Sequence, residues 1–255
     1  ASQDAYHQAL DSIYAARRAN RQREDESWEL DRSVTWDPRI PPAPEGFLEQ
    51  ATCKLTRDEA DYLVDRVAVS HPRSLLTFLM REQAYADVDF VWEHPLYADF
   101  PQSSQQLLFH ARLFSKVMFG AAILYNLMLS ELVKNQEREE EYRVALTNWA
   151  SRLERDRVAQ WNLDELWACA AHPAHKVTGL TRQFVREWVR LAATEPTQLA
   201  TNYRARTLIE DRERRLKRSQ SRFDNLSARA RWGGASGYAP MSFRWPNVRT
   251  FLRDL

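Results

Sequence analysis

The stretch QQLLFHARLFSKVMFGAAILYNLMLSELVKN, residues 105–135, is apolar on nearly every side of a helix after Leu107. A helix without a polar face is normally surrounded by other helices. The stretch also contains Asn126, Ser130 and Glu131, whereas a membrane span would need about 20 more uniformly apolar residues. It therefore predicts a buried central helix at about 105–135.

Amphipathic helices are predicted on both sides of this central helix. Thr56 and Glu59 form a capping-box pattern ahead of an apolar stripe that continues to about Ser70. Apolar residues then recur at helical spacing over 142–153, 163–171 and 181–191. Glycine is scarce, with six in 255 residues, and no useful stretch alternates as a strand does. The sequence predicts an all-α fold, an irregular helical bundle.

Composition divides the chain into three regions. We expect an N-terminal helix and a proline-rich linker in residues 1–46, and a helical core in residues 47–196. Residues 197–255 are expected to form a basic C-terminal helix and a terminal segment packed on that core. Cys53 and Cys169 are the only cysteines, too few for a disulfide framework, so a cytoplasmic location is expected.

Charge is distributed unevenly along the chain. The net charge is only +1, yet residues 201–255 contain 13 Lys/Arg against 5 Asp/Glu, and residues 1–200 contain 23 against 30. Such a split indicates a polyanionic partner for the basic end. We expect one long helix at about 198–232, in which five arginines fall within a sector of about 60° when each residue turns the helix by about 100°.

The basic face of this helix is the candidate binding surface. Guanidinium groups suit phosphate oxygens, and clustered cations gain free energy from counterion release on nucleic acid. Trp232 or Trp245 could stack on a base, and Arg244 and Arg249 could widen the patch. Alternatively, acidic residues such as Glu137–Glu141 could neutralise the cations internally. The predicted nucleic-acid-binding residues are Arg204, Arg215, Lys217, Arg218, Arg222, Arg229 and Arg231.

Two motifs offer other binding chemistry. The three glycines between positions 233 and 237 could cradle a phosphate, or simply end the preceding helix. Cys169, His172 and His175 have the spacing C-x2-H-x2-H, but zinc would need a fourth ligand, such as Cys53 or His94, to arrive through the fold. A helix end with surface imidazoles is the alternative, and we expect no metal and no cofactor.

Two further arrangements could carry acid–base chemistry. Arg66 and His71 match the loose Arg-x4-His pattern of helical-bundle ribonucleases. The alternative is a chance match in an arginine-rich chain, with His71 at a helix junction before Pro72. Glu93-His94 and His110 could form an acid–base group. Arg112 and Ser115 follow His110 on the central helix, so the alternative is a buried polar cluster that fixes the core. No catalytic residue is predicted.

Several stretches together resemble one family. They are SQDAYH at 2–7, WEHP at 92–95, HARLFS at 110–115, AAILYNLML at 121–129, RWGGASG at 231–237 and FRW at 243–245. The chain resembles the C-terminal part of an uncharacterised bacterial family described only as a domain of unknown function. The resemblance implies no established activity. It does imply a genetic context in which helicases, nucleases and methyltransferases of phage-defence islands are encoded nearby.

Three hypotheses for function follow. The first is a non-catalytic subunit of a bacterial antiviral system that binds nucleic acid through Arg215, Arg218 and Arg222. The second is a protein–protein adaptor that docks a helicase or nuclease through exposed aromatic residues, Trp92 and Tyr97 among them. The third is a helical-bundle ribonuclease that uses the Arg-x4-His pair.

Overall fold

The computed structural model describes residues 55–170 and 177–254, and every regular element within them is helical. This confirms the predicted all-α fold. Residues 1–54, with the predicted N-terminal helix and linker, lie outside the described residues. The helices are α1 (Arg57–Ser70), α2 (Leu75–Arg81), α3 (Gln102–Val133), α4 (Gln136–Arg152), α5 (Arg155–Ala159), α6 (Leu163–Ala170), α7 (Gly179–Thr194), α8 (Tyr203–Lys217), α9 (Leu226–Ala230) and α10 (Trp245–Asp254).

The central helix is α3, as predicted. Helices α4, α6, α7 and α8 all pack against it, and Leu124, Leu127 and Leu129 have no exposed surface. It ends where Lys134 adopts a left-handed conformation, with φ of 56°. By length and composition α3 could cross a membrane, but half of its most apolar window is buried inside the fold. Its apolar character is therefore used for packing against other helices.

Two tryptophans fix the helices that flank α3. The indole N–H of Trp149 on α4 donates to the carbonyl of Lys116, and that of Trp188 on α7 donates to the carbonyl of Val117, each at 2.8 Å. Gly120 makes room for the first of these rings: a Cβ there would lie 2.6 Å from Cη2 of Trp149 and closer still to two other ring atoms. The absence of a side chain at this position lets α4 approach α3.

A second, smaller core joins the first part of the described chain to its last helix. Leu79, Val91, Phe100 and Trp245 are buried together, so α10 packs on α2 and on the 3-10 turn Val91–Glu93. The indole N–H of Trp245 donates to the carbonyl of Val88 at 2.8 Å. The C-terminal helix is thus anchored by an aromatic side chain.

The long helix expected at about 198–232 is corrected to three shorter pieces: α8, the 3-10 turn Arg218–Gln220 and α9. Helix α8 begins after Asn202, whose side chain accepts a hydrogen bond from the N–H of Ala205 at 3.1 Å. Helix α8 ends at Lys217, because the next residue, Arg218, has a φ of 50°. The segment 219–225 is rich in Ser, Asp and Asn, whose side chains compete with helical hydrogen bonds. Asn225, for example, caps α9.

Candidate nucleic-acid interface

The break after α8 separates the predicted cations. Arg204 lies in the first turn of α8, and Arg215 and Lys217 lie in its last turn. Arg218 begins the 3-10 turn Arg218–Gln220, and Arg222 lies in the connection between that turn and α9. Arg229 belongs to α9, and Arg231 follows it. The seven residues therefore do not form one helical stripe, and each must be judged by its own contacts.

Arg222 turns towards the bundle interior. Its Nη1 donates to Tyr125 Oη at 2.9 Å and to Ser236 Oγ at 3.1 Å. Tyr125 in turn donates to the buried carboxylate of Glu213 at 2.8 Å. Burial, chiefly, raises the pKa of Tyr125 to about 12. Arg222 is committed to this network, so it is not part of the candidate interface.

Arg229 and Arg231 also make contacts within the molecule. Arg229 donates to the carbonyl of Arg222 at 2.8 Å and to that of Phe223 at 2.5 Å, which holds the turn before α9. Arg231 donates to the side-chain oxygen of Gln220 at 3.3 Å.

Carboxylates neutralise other arginines of the basic region. Arg214 pairs with Asp224 at 3.0 Å and with Glu210 at 3.1 Å, and Arg206 pairs with Glu131 of α3. Arg249, expected to widen the patch, pairs with Asp87 at 2.9 Å instead. The internal neutralisation considered as an alternative therefore occurs, although its acids are not Glu137–Glu141.

A smaller set of cations forms no ion pair among the described residues, although one of them, Arg204, helps electrostatically to lower the pKa of Glu187. They lie on α8 and at its C-terminal end: Arg204, Arg212, Arg215, Lys217 and Arg218. Four of the five were predicted from the sequence. The fifth, Arg212, was missed because its position was judged only against the expected stripe and not against the neighbouring helix α7.

Arg212 and Arg215 lie in a groove of about 290 Å³ between α7 and α8, here called the α7–α8 groove. The Arg212 guanidinium lies over the ring of Phe184, 5.2 Å from its centroid, and donates to Thr181 Oγ1 at 3.2 Å. Burial first, and then repulsion from Arg215, lowers the pKa of Arg212. Two like charges are therefore held near each other without a counter-charge bonded to either.

Three other charged residues line the same groove. Arg186 of α7 adds a cation whose nearest described carboxylate oxygen, on Asp164, is 3.9 Å away, and both side chains are exposed. Glu187 is occupied by Arg190, whose hydrogen bonds lower the pKa of that carboxyl. Asp211 forms no ion pair among the described residues. The groove thus combines three guanidiniums with a single unpaired carboxylate.

The glycine loop is a structural anchor. Asn126 of α3 is fully buried, and its Oδ1 accepts from the N–H of Ser236 at 2.8 Å and from Trp232 Nε1 at 3.0 Å. Its Nδ2 donates to the carbonyl of Ser236 at 3.0 Å, and Tyr142 donates to the carbonyl of Gly234. At least one backbone N–H of this loop, that of Ser236, is therefore already hydrogen-bonded within the fold.

The two tryptophans expected to stack on bases are core residues instead. Trp232 is 6% exposed and Trp245 is 3% exposed. Trp232 donates to Asn126, whereas Trp245 donates to the carbonyl of Val88. Base stacking by either ring is ruled out by this burial, so the expectation is corrected.

The candidate acid–base residues do not assemble into one group. His94 Nδ1 accepts from the N–H of Leu96 at 3.1 Å, and its ring packs against Phe100 and Trp245. His110 Nδ1 accepts from Trp161 Nε1 at 2.9 Å. Arg112 pairs with Glu154 at 3.1 Å. Ser115 is buried, and its hydroxyl has no partner among the described residues. The arrangement is that of two separately packed histidines.

These histidines predict a pH dependence of stability. Burial lowers the pKa of both His94 and His110, so the unfolded chain binds protons more readily than the folded one. The free energy of unfolding should therefore be maximal above about pH 6.5, the ordinary histidine value, and fall as the pH drops towards 5. His110→Gln should lessen that fall in urea titrations. An unchanged pH slope in this variant would contradict the assignment.

The remaining candidates can be placed briefly. Arg66 and His71 are both exposed at the end of α1, and no hydrogen bond joins their side chains. Cys53, His172 and His175 lie outside the described residues. Among the described residues, no group of three His, Cys, Asp or Glu side chains could hold a metal ion.

The aromatic residues proposed for docking are half-buried. The ring of Trp92 stacks on Phe90 with centroids 4.9 Å apart and meets Phe243 edge-on. Tyr97 donates to the carbonyl of Gln105 at 3.4 Å and packs against Phe100. Both rings therefore contribute to the packing of the second core.

A family model described as a family of unknown function, DUF6361, matches residues 24–255. This agrees with the resemblance to an uncharacterised family seen in the sequence. No curated protein and no solved structure shows significant similarity to the chain.

Proposed function

This chain belongs to the DUF6361 family, whose function is unknown, and we propose that it is a non-catalytic protein that binds nucleic acid through the α7–α8 groove and the adjacent end of α8. The observation that carries the proposal is the pair Arg212 and Arg215. Their guanidiniums repel each other and no described carboxylate pairs with either. A phosphate placed between them would relieve this repulsion.

The preorientation of Arg212 supports phosphate binding. Its contacts with Phe184 and Thr181 hold the guanidinium in place before any ligand arrives, so less conformational entropy is lost on binding. Arginine can present two parallel N–H donors to phosphate oxygens. Lys217 and Arg218 continue the positive charge beyond the groove, where they are exposed.

The expected recognition is electrostatic and independent of base sequence. Contacts to phosphates fix the position of a protein on nucleic acid but carry no sequence information. Trp232 and Trp245 are buried, so neither indole would read or stack a base. Binding should then weaken steeply with salt, with a slope of log K against log salt of about −0.9 for each duplex phosphate neutralised.

Charge reversal provides the test. The double variant Arg212→Glu, Arg215→Glu should lose about tenfold or more in affinity for duplex DNA or RNA at low salt, and its salt slope should be smaller by about 2. Fluorescence anisotropy over a salt series measures both quantities. Arg215→Glu alone, at an exposed position, provides a variant in which folding is not at risk.

A matched control keeps the net charge equal. Arg66→Glu with Arg73→Glu reverses two exposed arginines of the α1–α2 region that form no ion pair among the described residues. This variant should bind as the natural protein does. If both double variants lose affinity equally, net charge and not the groove governs binding, and the proposal fails. Unchanged affinity in the groove variant would refute it directly.

The cellular setting is proposed from the resemblance alone. A bacterial, antiviral and cytoplasmic role would place the chain beside a helicase or nuclease, which would supply the chemistry that a non-catalytic subunit lacks. Co-purification with such a partner, encoded in a neighbouring gene and retained at high salt, would instead favour the adaptor hypothesis.

A further inference from the structure

Besides the charged α7–α8 groove, the structure contains an apolar cavity. A cavity of about 490 Å³ opens between α2, α3, α6 and α10, and all thirteen of its lining residues are apolar. Leu79 lines it from α2, Leu108 and Phe114 from α3, and Val248 from α10. Its volume falls within the range of small-molecule sites, roughly 300–1,000 Å³. None of the cations of the α7–α8 groove lines it.

This cavity is open to solvent, and its apolar walls offer water almost no hydrogen-bond partners. A buried water needs two to four polar partners, and the indole N–H of Trp245 is already bonded to the carbonyl of Val88. Trp167 Nε1, the other indole nitrogen of the lining, is buried without a partner among the described residues.

The mouth of the cavity is built from strained backbone. Phe243 and Arg244 both have positive φ, 49° and 67°, a conformation that is unfavourable for residues with a side chain. Phe243 lines the cavity and is 48% exposed, and Leu107 on α3 is 44% exposed. Strain of this kind is retained where the surrounding structure enforces it, commonly at ligand sites.

We propose that this cavity binds an uncharged molecule that consists mainly of hydrocarbon, such as a free alkyl-chain compound. No lining residue carries a charge, so an ionised group would be left without a partner inside. An apolar cavity of about 150 Å³ accommodates benzene, and by that scale this one accommodates roughly 20 carbon atoms. The occupant would enter past Leu107 and Phe243.

The test measures binding of 1-decanol by thermal shift and calorimetry. We expect saturable binding at one site, with affinity falling roughly fourfold for each methylene removed, from 1-decanol to 1-butanol. Ala111→Phe, which adds a ring inside the cavity, should abolish it. Val248→Trp, placed on the α10 side, is the second blocking variant in case the first fails to fold. Ala98→Phe adds the same ring at an exposed position and should leave binding intact.

Several results would overturn the proposal. Binding of 1-decanol that persists undiminished in folded Ala111→Phe and Val248→Trp would place the ligand elsewhere. Absence of any shift with 1-decanol would remove the small-molecule assignment and leave protein side chains as the occupant. Loss of 1-decanol binding in the groove variant Arg212→Glu, Arg215→Glu would also contradict the proposal, because neither residue lines the cavity.

Discussion

Replacing Gly120 by alanine should destabilise the protein, although alanine is the better helix former by about 1 kcal/mol. The added Cβ would lie 2.6 Å from one carbon of the Trp149 ring and closer to two others. The ring cannot simply move away, because its N–H is bonded to the carbonyl of Lys116. Overpacking of this kind costs about 1–3 kcal/mol, and urea unfolding measures the loss.

Gly179 provides the matched control. It begins α7, and a Cβ there would meet nothing within 4 Å. Gly179→Ala should therefore leave the free energy of unfolding unchanged or raise it by about 0.4–1 kcal/mol. A Gly120→Ala protein as stable as the Gly179→Ala protein would show that α4 does not approach α3 as closely as described.

Replacing Asn126 by leucine should have an effect at least as large. The side chain is fully buried and serves two donors, Trp232 Nε1 and the N–H of Ser236. Each buried donor left unsatisfied costs about 1–3 kcal/mol, so the variant should lose several kcal/mol of stability. The tryptophan fluorescence of the native state should also change, because Trp232 loses its hydrogen bond.

Asn148 is the comparison for this substitution. It lies exposed on α4, and Asn148→Leu should alter the free energy of unfolding by no more than about 0.5 kcal/mol. Equal stability of the two leucine variants would mean that the glycine loop is not anchored by Asn126.

The central helix could be predicted because its signal is local. A long apolar run with a polar stretch after it determines both its burial and its approximate end. The expected end at about Asn135 lies two residues beyond the observed end at Val133. That difference is set by Lys134, whose left-handed conformation no local pattern specifies.

In the sequence Ile209, Leu216, Phe223 and Ala230 recur every seven residues, a spacing that suggests one continuous helix. The basic helix was wrongly predicted because this pattern runs through a turn. Ile209 and Phe223 are buried, as the pattern requires, but Leu216 between them is 61% exposed. Ile209 belongs to α8, whereas Phe223 lies in the connection between the 3-10 turn and α9, so the two reach the core from different segments. The Ser, Asp and Asn residues of 219–225 carried the opposing local signal.

The cations available in the α7–α8 groove could not be predicted from the sequence, because their availability depends on contacts between residues far apart in the chain. Arg212 meets Thr181 from 31 positions earlier in the chain, and Arg222 meets Tyr125 from 97 positions earlier. Whether an arginine is free or committed is decided by such distant partners. Composition therefore located the basic region, whereas only the fold separated its available cations from the neutralised ones.

The two indole protons that are donated to carbonyls of α3 report how the bundle opens. Trp149 reports on α4 and Trp188 on α7, and both are protected by consecutive carbonyls of one helical turn. If the helices detach one at a time, the two protons will exchange with deuterium at different rates under native conditions. If the bundle opens as a whole, they will exchange together, and the ratio of the two rates measures its cooperativity.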